Sequence, residues 1–172
     1  MNKQNQQIQK MGTGMTAIAW ILALLIMTWL FSDLLEKQQN PNQHLAHSLG
    51  NTADNAVTLQ RNRQGHYLAP GKINNKVVNF LLDTGATDVA IPGPLARKLQ
   101  LDLTSQGISQ TASGYVKTYG TRLDSVSIGN ITLNNVKASV IETMPGDYIL
   151  LGMSFLKHLE LVQKGDLLTI RL

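Results

Sequence analysis

From His66 to the carboxyl terminus, short apolar stretches alternate with turn signals at close intervals, and this spacing limits the fold more than any other feature. Residues 67–73 and 77–82 flank Asn74-Asn75, a pair suited to a tight hairpin. Residues 89–91 predict a brief strand, closed by Pro92-Gly93-Pro94 and followed by one or two helical turns over 95–99. Leu123, Val126 and Ile128 lead to a turn at Gly129-Asn130, and Asn134-Asn135 predicts another before a strand over 136–141. Leu168, Ile170 and Leu172 alternate with Thr169 and Arg171 as a final strand. The pattern predicts an all-β domain over 64–172, built as a small closed barrel or sandwich with a short helix at 153–158.

A second feature separates this domain from the start of the chain. The 22 residues between Lys10 and Asp33 carry no charge, and 15–31 are almost wholly apolar, where a bilayer core needs about 20 such residues. Trp20 and Trp29 lie towards the ends, where interfacial anchors are common. A buried core helix would show a polar face, and a cleavable signal would be followed by small residues rather than Ser32-Asp33-Leu34-Leu35-Glu36. The expected organisation is therefore a cytoplasmic tail over 1–13, a single transmembrane anchor over 14–35, a linker over 36–63 and the folded domain over 64–172. Lys3 and Lys10 precede the span without acidic neighbours, whereas Lys37 follows it together with Asp33 and Glu36. The positive-inside rule then places the amino terminus in the cytoplasm and the domain outside it. The segment 36–63 is rich in Gln and Asn and poor in large apolar residues, which predicts a flexible tether with a reach of roughly 30 Å.

The chemistry concentrates in Phe80-Leu81-Leu82-Asp83-Thr84-Gly85-Ala86-Thr87. An apolar run that reads as a buried strand delivers one carboxylate to the mouth of a turn. Two such carboxylates sharing one proton can activate water, the charged one as general base and the protonated one as general acid. Thr84 offers a hydroxyl to lock the turn, and Gly85 lets the backbone N–H approach the carboxylate. The alternative is an ordinary Asp-Gly turn, and one tripeptide does not distinguish the two. Further along stands Ile149-Leu150-Leu151-Gly152, followed by the helix-like Met153-Ser154-Phe155-Leu156-Lys157-His158.

Together these segments resemble the retropepsin-like aspartic proteases over roughly 66–172, and the run from Leu151 to Leu156 is most similar to the bacterial membrane-anchored branch. The resemblance implies a D-T-G-A turn ending a strand, a flap hairpin, and an apolar-apolar-Gly strand leading into a short helix behind the active site. It implies Asp83 as the catalytic residue, Thr84, Gly85 and Ala86 as support for its loop, and Leu151 and Gly152 as the packing of the second loop. By position, the segment 108–116, with small residues Ala112, Ser113 and Gly114 at its centre, is the flap. Retroviral members usually have Gly-Arg-Asn where this chain has Gly152-Met153-Ser154, so the ion pairing of that Arg is not expected. In a Gram-negative host the domain would face the periplasm from the inner membrane.

The second carboxylate has to come from elsewhere, because Asp88, Asp102, Asp124, Asp147 and Asp166 are not followed by Thr-Gly or Ser-Gly. One chain supplies half a site, and activity requires an isologous homodimer with Asp83 facing its mate. The resemblance implies that terminal strands, here 167–172, help form that interface. Two copies tethered to one bilayer would also meet at raised effective concentration. The expected activity is an endopeptidase acting on polypeptides, with no metal and no cofactor. Val89, Ile91 and Ile141 are candidates to line apolar side-chain pockets. The alternative is a module that grips an extended peptide in the same groove, or merely dimerises, without cutting. The absence of cysteine excludes disulfides, thiolate metal sites and a Cys nucleophile. Acidic and basic residues nearly balance in the domain, so nucleic-acid binding is not expected.

Overall fold

The computed structural model describes residues 3–46, 56–111 and 114–172. The chain divides between Gln38 and Gln39 into two compact units. The first is a helix, α1 (Lys3–Gln39). Its stretch 14–39, with a mean hydropathy of 2.1 over its most apolar window, is long and apolar enough to cross a membrane, and none of that window is buried against protein. At 1.5 Å per residue the stretch reaches about 39 Å, more than a bilayer core of roughly 30 Å. Trp20 and Trp29 are 69% and 75% exposed, whereas a core helix would have its apolar side covered.

Among its described residues the second unit contains ten strands in two sheets. β2 (Leu68–Ile73), β3 (Lys76–Leu82), β4 (Val89–Pro92), β5 (Gln106–Thr111), β6 (Gly114–Ile128), β7 (Ile131–Ile141) and β8 (Tyr148–Leu151) run in the order β2-β3-β8-β4-β7-β6-β5. An additional β2–β6 pairing closes six of them into a barrel and leaves β5 outside the ring. β1 (Ala56–Gln60), β9 (Glu160–Lys164) and β10 (Leu167–Arg171) form a three-stranded antiparallel sheet in the order β1-β10-β9. Two short helices, α2 (Gly93–Leu99) and α3 (Met153–Leu156), complete the unit.

Local chemistry explains most of these elements. Asn74 and Asn75 adopt φ of 47° and 66°, the left-handed pair that a two-residue hairpin between β2 and β3 requires. Along β3, Val78 and Phe80 turn inward while Val77 stays exposed, so the apolar run alternates as strand geometry demands and is not buried throughout. Ring closure depends on Gly71, which pairs with Ile128 of β6. A Cβ there would lie 2.2 Å from the Ser127 carbonyl oxygen and 2.6 Å from the Phe80 ring. Phe80, Ile91, Leu123, Ile149, Leu151 and Phe155 fill the interior.

Three expectations need correction. Asn134-Asn135 does not turn the chain: β7 runs unbroken from Ile131 to Ile141 against β6. Asn135 absorbs a φ of 57° within the strand, and its Oδ1 accepts a hydrogen bond from Arg122 (3.0 Å). The segment 36–63 is not a tether throughout. α1 continues to Gln39, Asn40 and Asn42 are buried, Leu45 in the single turn Gln43–Ala46 packs on the core, and β1 pairs with β10 along its whole length. Residues 47–55 lie outside the described residues. The physical reason is hydrogen bonding rather than apolar area: the Asn42 amide donates to the carbonyls of Gln60 (2.8 Å) and Leu68 (2.7 Å) and accepts from the Gln60 N–H (2.8 Å). Finally, the terminal strand β10 is the central strand of its sheet, paired on both edges within its own chain. It has no free edge to offer a second subunit.

Candidate active site

β3 carries the chain out of the barrel to Asp83, whose N–H donates to the Leu151 carbonyl at the end of β8 (3.2 Å). The turn then closes on its own carboxylate. The Gly85 N–H donates to Asp83 Oδ1 (2.9 Å) and the Ala86 N–H donates to the Asp83 carbonyl (3.2 Å). Asp83 is half-buried, and Thr84 and Gly85 are exposed. A backbone N–H aimed at a carboxylate oxygen fixes the orientation of that carboxylate. Thr84 does not lock the turn as expected. Its hydroxyl has no hydrogen-bond partner in the chain among the described residues, and the N–H groups of Gly85 and Ala86 do that work.

The second loop packs against the first through backbone. The N–H groups of Met153 and Ser154, free at the start of α3, donate to the carbonyls of Ala86 (2.8 Å) and Thr87 (2.9 Å). This contact leaves no space for a side chain at Gly152, where a Cβ would stand 2.2 Å from the Asp88 carbonyl oxygen and 2.7 Å from that of Ala86. Leu151, the preceding residue, is fully buried. Ser154 makes a link that sequence reasoning missed. Its hydroxyl accepts from the Val89 N–H (3.0 Å) and donates to the Lys137 carbonyl (2.8 Å), joining α3 to β4 and β7. No local pattern announces it, because its partners lie 65 and 17 residues away along the chain. Asp88, largely buried, pairs with Lys137 (3.1 Å).

Beside the Asp83 turn lies an open cleft of about 500 Å³. It is lined by Asp83, Gly85, Ala86, Thr87 and Asp88, by Ser109, Gln110 and Thr111 of β5, and by the apolar side chains of Ala90, Ile141 and Leu150, with Ser139. The structure therefore brings the β5–β6 hairpin and the Asp83 turn to one site. The hairpin carries Gly114 at φ 111°, with Ile108 and Tyr115 highly exposed along its arms. Ala112 and Ser113 of the expected tip lie outside the described residues. Of the three pocket candidates, only Ile141 lines the cleft. Val89 and Ile91 are fully buried in the core, because all four residues of β4 are covered.

The comparisons with known proteins agree with this geometry. The sequence model described as gag-polyprotein putative aspartyl protease matches residues 69–158. An uncharacterized protein in the cobV 5' region of Sinorhizobium sp is 30% identical, over 96% of this chain and 77% of its own length. An uncharacterized protein of Rickettsia prowazekii is 34% identical, over 59% of this chain and 45% of its own. The crystal structure of a retropepsin-like aspartic protease from Rickettsia conorii superposes with a TM-score of 0.54 at 34% identity, covering 67% of this chain and 88% of that one. By its sequence, its closed barrel and its Asp83 turn, the chain belongs to the retropepsin-like aspartic protease family.

Proposed function

We propose that the protein is a membrane-anchored aspartic endopeptidase whose site is completed by two copies of Asp83, one from each subunit of a homodimer. The observation that carries this reading is the Asp83 turn itself. Its carboxylate is oriented by the Gly85 N–H, half-buried, and set at the wall of a cleft that an extended peptide can enter. β5 adds support, because among the described residues its strand pairing is with β6, and an extended peptide could add strand-like hydrogen bonds beside it. Thr84, exposed and without a hydrogen-bond partner for its hydroxyl among the described residues, is available to a second subunit.

In this mechanism the two carboxyl groups share one proton and hold a water between them. The ionised group takes a proton from the water as its oxygen attacks the scissile carbonyl carbon. The protonated group stabilises the carbonyl oxygen, and the amine leaves with a proton returned from the pair. No covalent acyl-enzyme forms. Ala90, Ile141 and Leu150 supply an apolar floor for substrate side chains. In this reading α1 anchors the chain in the inner membrane, with the amino terminus cytoplasmic and the domain on the opposite side, an orientation supported by the charge asymmetry around the span.

The test uses the full chain in detergent with a mixed peptide library and heavy-oxygen water. Cleavage should place the label in the new carboxyl termini, and Asp83→Asn should abolish cleavage while the fold persists, since Asn retains an oxygen for the Gly85 N–H. Cleavage surviving in that variant would refute the mechanism. Accessibility of the domain to a protease added outside spheroplasts checks the orientation, and a mature chain lacking α1 would overturn the anchor.

A further inference from the structure

Three buried asparagines bound how far the Asp83 turn can stand from the anchor. The Gln39 carbonyl, at the end of α1, accepts a hydrogen bond from the Asn62 amide (3.0 Å). The Asn40 side chain accepts from the Asn42 N–H (3.0 Å), and the Asn42 amide holds the carbonyls of Gln60 and Leu68. Asn40, Asn42 and Asn62 are all buried. The folded unit therefore begins at Gln39, directly after the residues of the helix, and no loose stretch intervenes.

The same contacts lie close to the chemistry. Leu68, whose carbonyl Asn42 holds, faces Leu81 across the β2–β3 ladder, and the Leu82 N–H donates to the Tyr67 carbonyl (3.0 Å). Asp83 follows directly. One side-chain bridge, one step across the ladder and two residues along β3 separate Asn42 from Asp83 by roughly 20 Å at most. From Glu36, just beyond the apolar stretch, to Asn42 even a fully extended chain covers only about 20 Å. The Asp83 turn is thus confined to within roughly 40 Å of the bilayer surface, whatever angle the helix makes with the domain. A loose tether over 36–63 would by itself extend about 90 Å.

We propose that the substrates are polypeptides anchored in the same bilayer, cut in a segment close to its surface, and that position more than side-chain contact selects them. This deepens the proposed function and rests on its peptidase and anchor readings. The cleft has little with which to read a sequence. Its lining is mostly short side chains, among them Ala86, Ala90, Ser109 and Ser139, and of its two carboxylates Asp83 serves the chemistry while Asp88 is paired with Lys137 (3.1 Å). Two chains held in one bilayer meet at raised effective concentration, an advantage that a freely diffusing polypeptide lacks. An extended segment spans 40 Å in about 12 residues and a flexible coil in roughly 50. Scissile bonds up to a few tens of residues from the substrate's own span are therefore within reach.

The test places the full chain in phospholipid vesicles with single-pass reporters, each bearing one peptide that the enzyme cuts in solution. Helical spacers set that peptide about 20 Å or about 100 Å from the bilayer. The near reporter should be cut roughly tenfold faster than the far one. A second enzyme carries a flexible insertion of about 40 Gly and Ser residues between Gln38 and Gln39, which adds a mean reach of roughly 35 Å and keeps the bonds to Gln39, Asn40 and Asn42. It should cut the far reporter faster than the unmodified chain does, and the free peptide at the same rate. Equal cutting of near and far reporters by the unmodified chain, or cutting of the free peptide alone, would overturn the proposal. A readout without cleavage uses the absence of cysteine. A donor dye on Thr84→Cys should transfer energy to acceptors on the lipid headgroups, and the insertion should lower that transfer roughly twofold. Transfer that ignores the insertion would refute the confinement of the turn. Transfer as expected with neither reporter nor free peptide cut would instead sink the peptidase reading, and the substrate class with it.

Discussion

Replacing Gly152 by alanine tests the packing of the two loops directly. Gly152 has φ of −89° and ψ of −173°, an extended conformation that alanine adopts freely, so any cost is steric. The added methyl would meet the Asp88 carbonyl oxygen at 2.2 Å, the Ala86 carbonyl oxygen at 2.7 Å and the Asp88 carbonyl carbon at 2.8 Å. All three are backbone atoms, and they cannot rotate aside as a flexible side chain would. Relief requires moving the 86–88 segment, which the Met153 and Ser154 N–H groups hold in place. Overpacking of this kind costs about 1–3 kcal/mol, occasionally more, and loss of unfolded-chain entropy returns roughly 0.4–1 kcal/mol. A net loss of about 1.3 kcal/mol lowers the melting temperature by roughly 5 °C for a domain of this size. Peptidase activity should fall by more than stability predicts, since the displaced carbonyls support the Asp83 turn. Gly107→Ala is the control: a Cβ there would find its nearest neighbour, the Thr118 hydroxyl, at an ordinary 3.4 Å. Thermal unfolding of both variants, with activity measured alongside, decides the matter. A Gly152→Ala protein that melts with the wild type and cleaves at full rate would show the two-loop contact to be irrelevant.

Ser154→Ala removes the acceptor of the Val89 N–H in a fully buried stretch of β4, and should cost about 1–3 kcal/mol in urea unfolding. An unchanged midpoint would mean that water replaces the hydroxyl. Asn42→Ala strips three hydrogen bonds from Gln60 and Leu68, and roughly 3 kcal/mol of stability should go with them. Were 36–63 a tether without structure, the same change would be silent in unfolding.

Residues whose information is local were legible in the sequence. Asn74-Asn75 tolerates the left-handed backbone, and Leu168 and Ile170 alternate as a strand does. The Asp83 turn was equally legible, because its hydrogen bonds join residues two and three apart. The segment 36–63 was misread because composition measures apolar area, while Asn42 works by bonding to Gln60 and Leu68, 18 and 26 residues away. The alternation of Val57 and Leu59 was the signal that a strand lay there.

The sequence alone determined that an apolar helix precedes an all-β domain, and that one chain carries a single Asp-Thr-Gly turn. Both follow from side-chain chemistry over a few neighbouring residues. Tertiary structure decided which strand edges close upon the chain and which stay open. Such pairings bring together residues far apart along the chain, as β1 and β10 do. That is why β10, an apparent free terminus in the sequence, is enclosed by its own sheet, and why the open edge falls to β9.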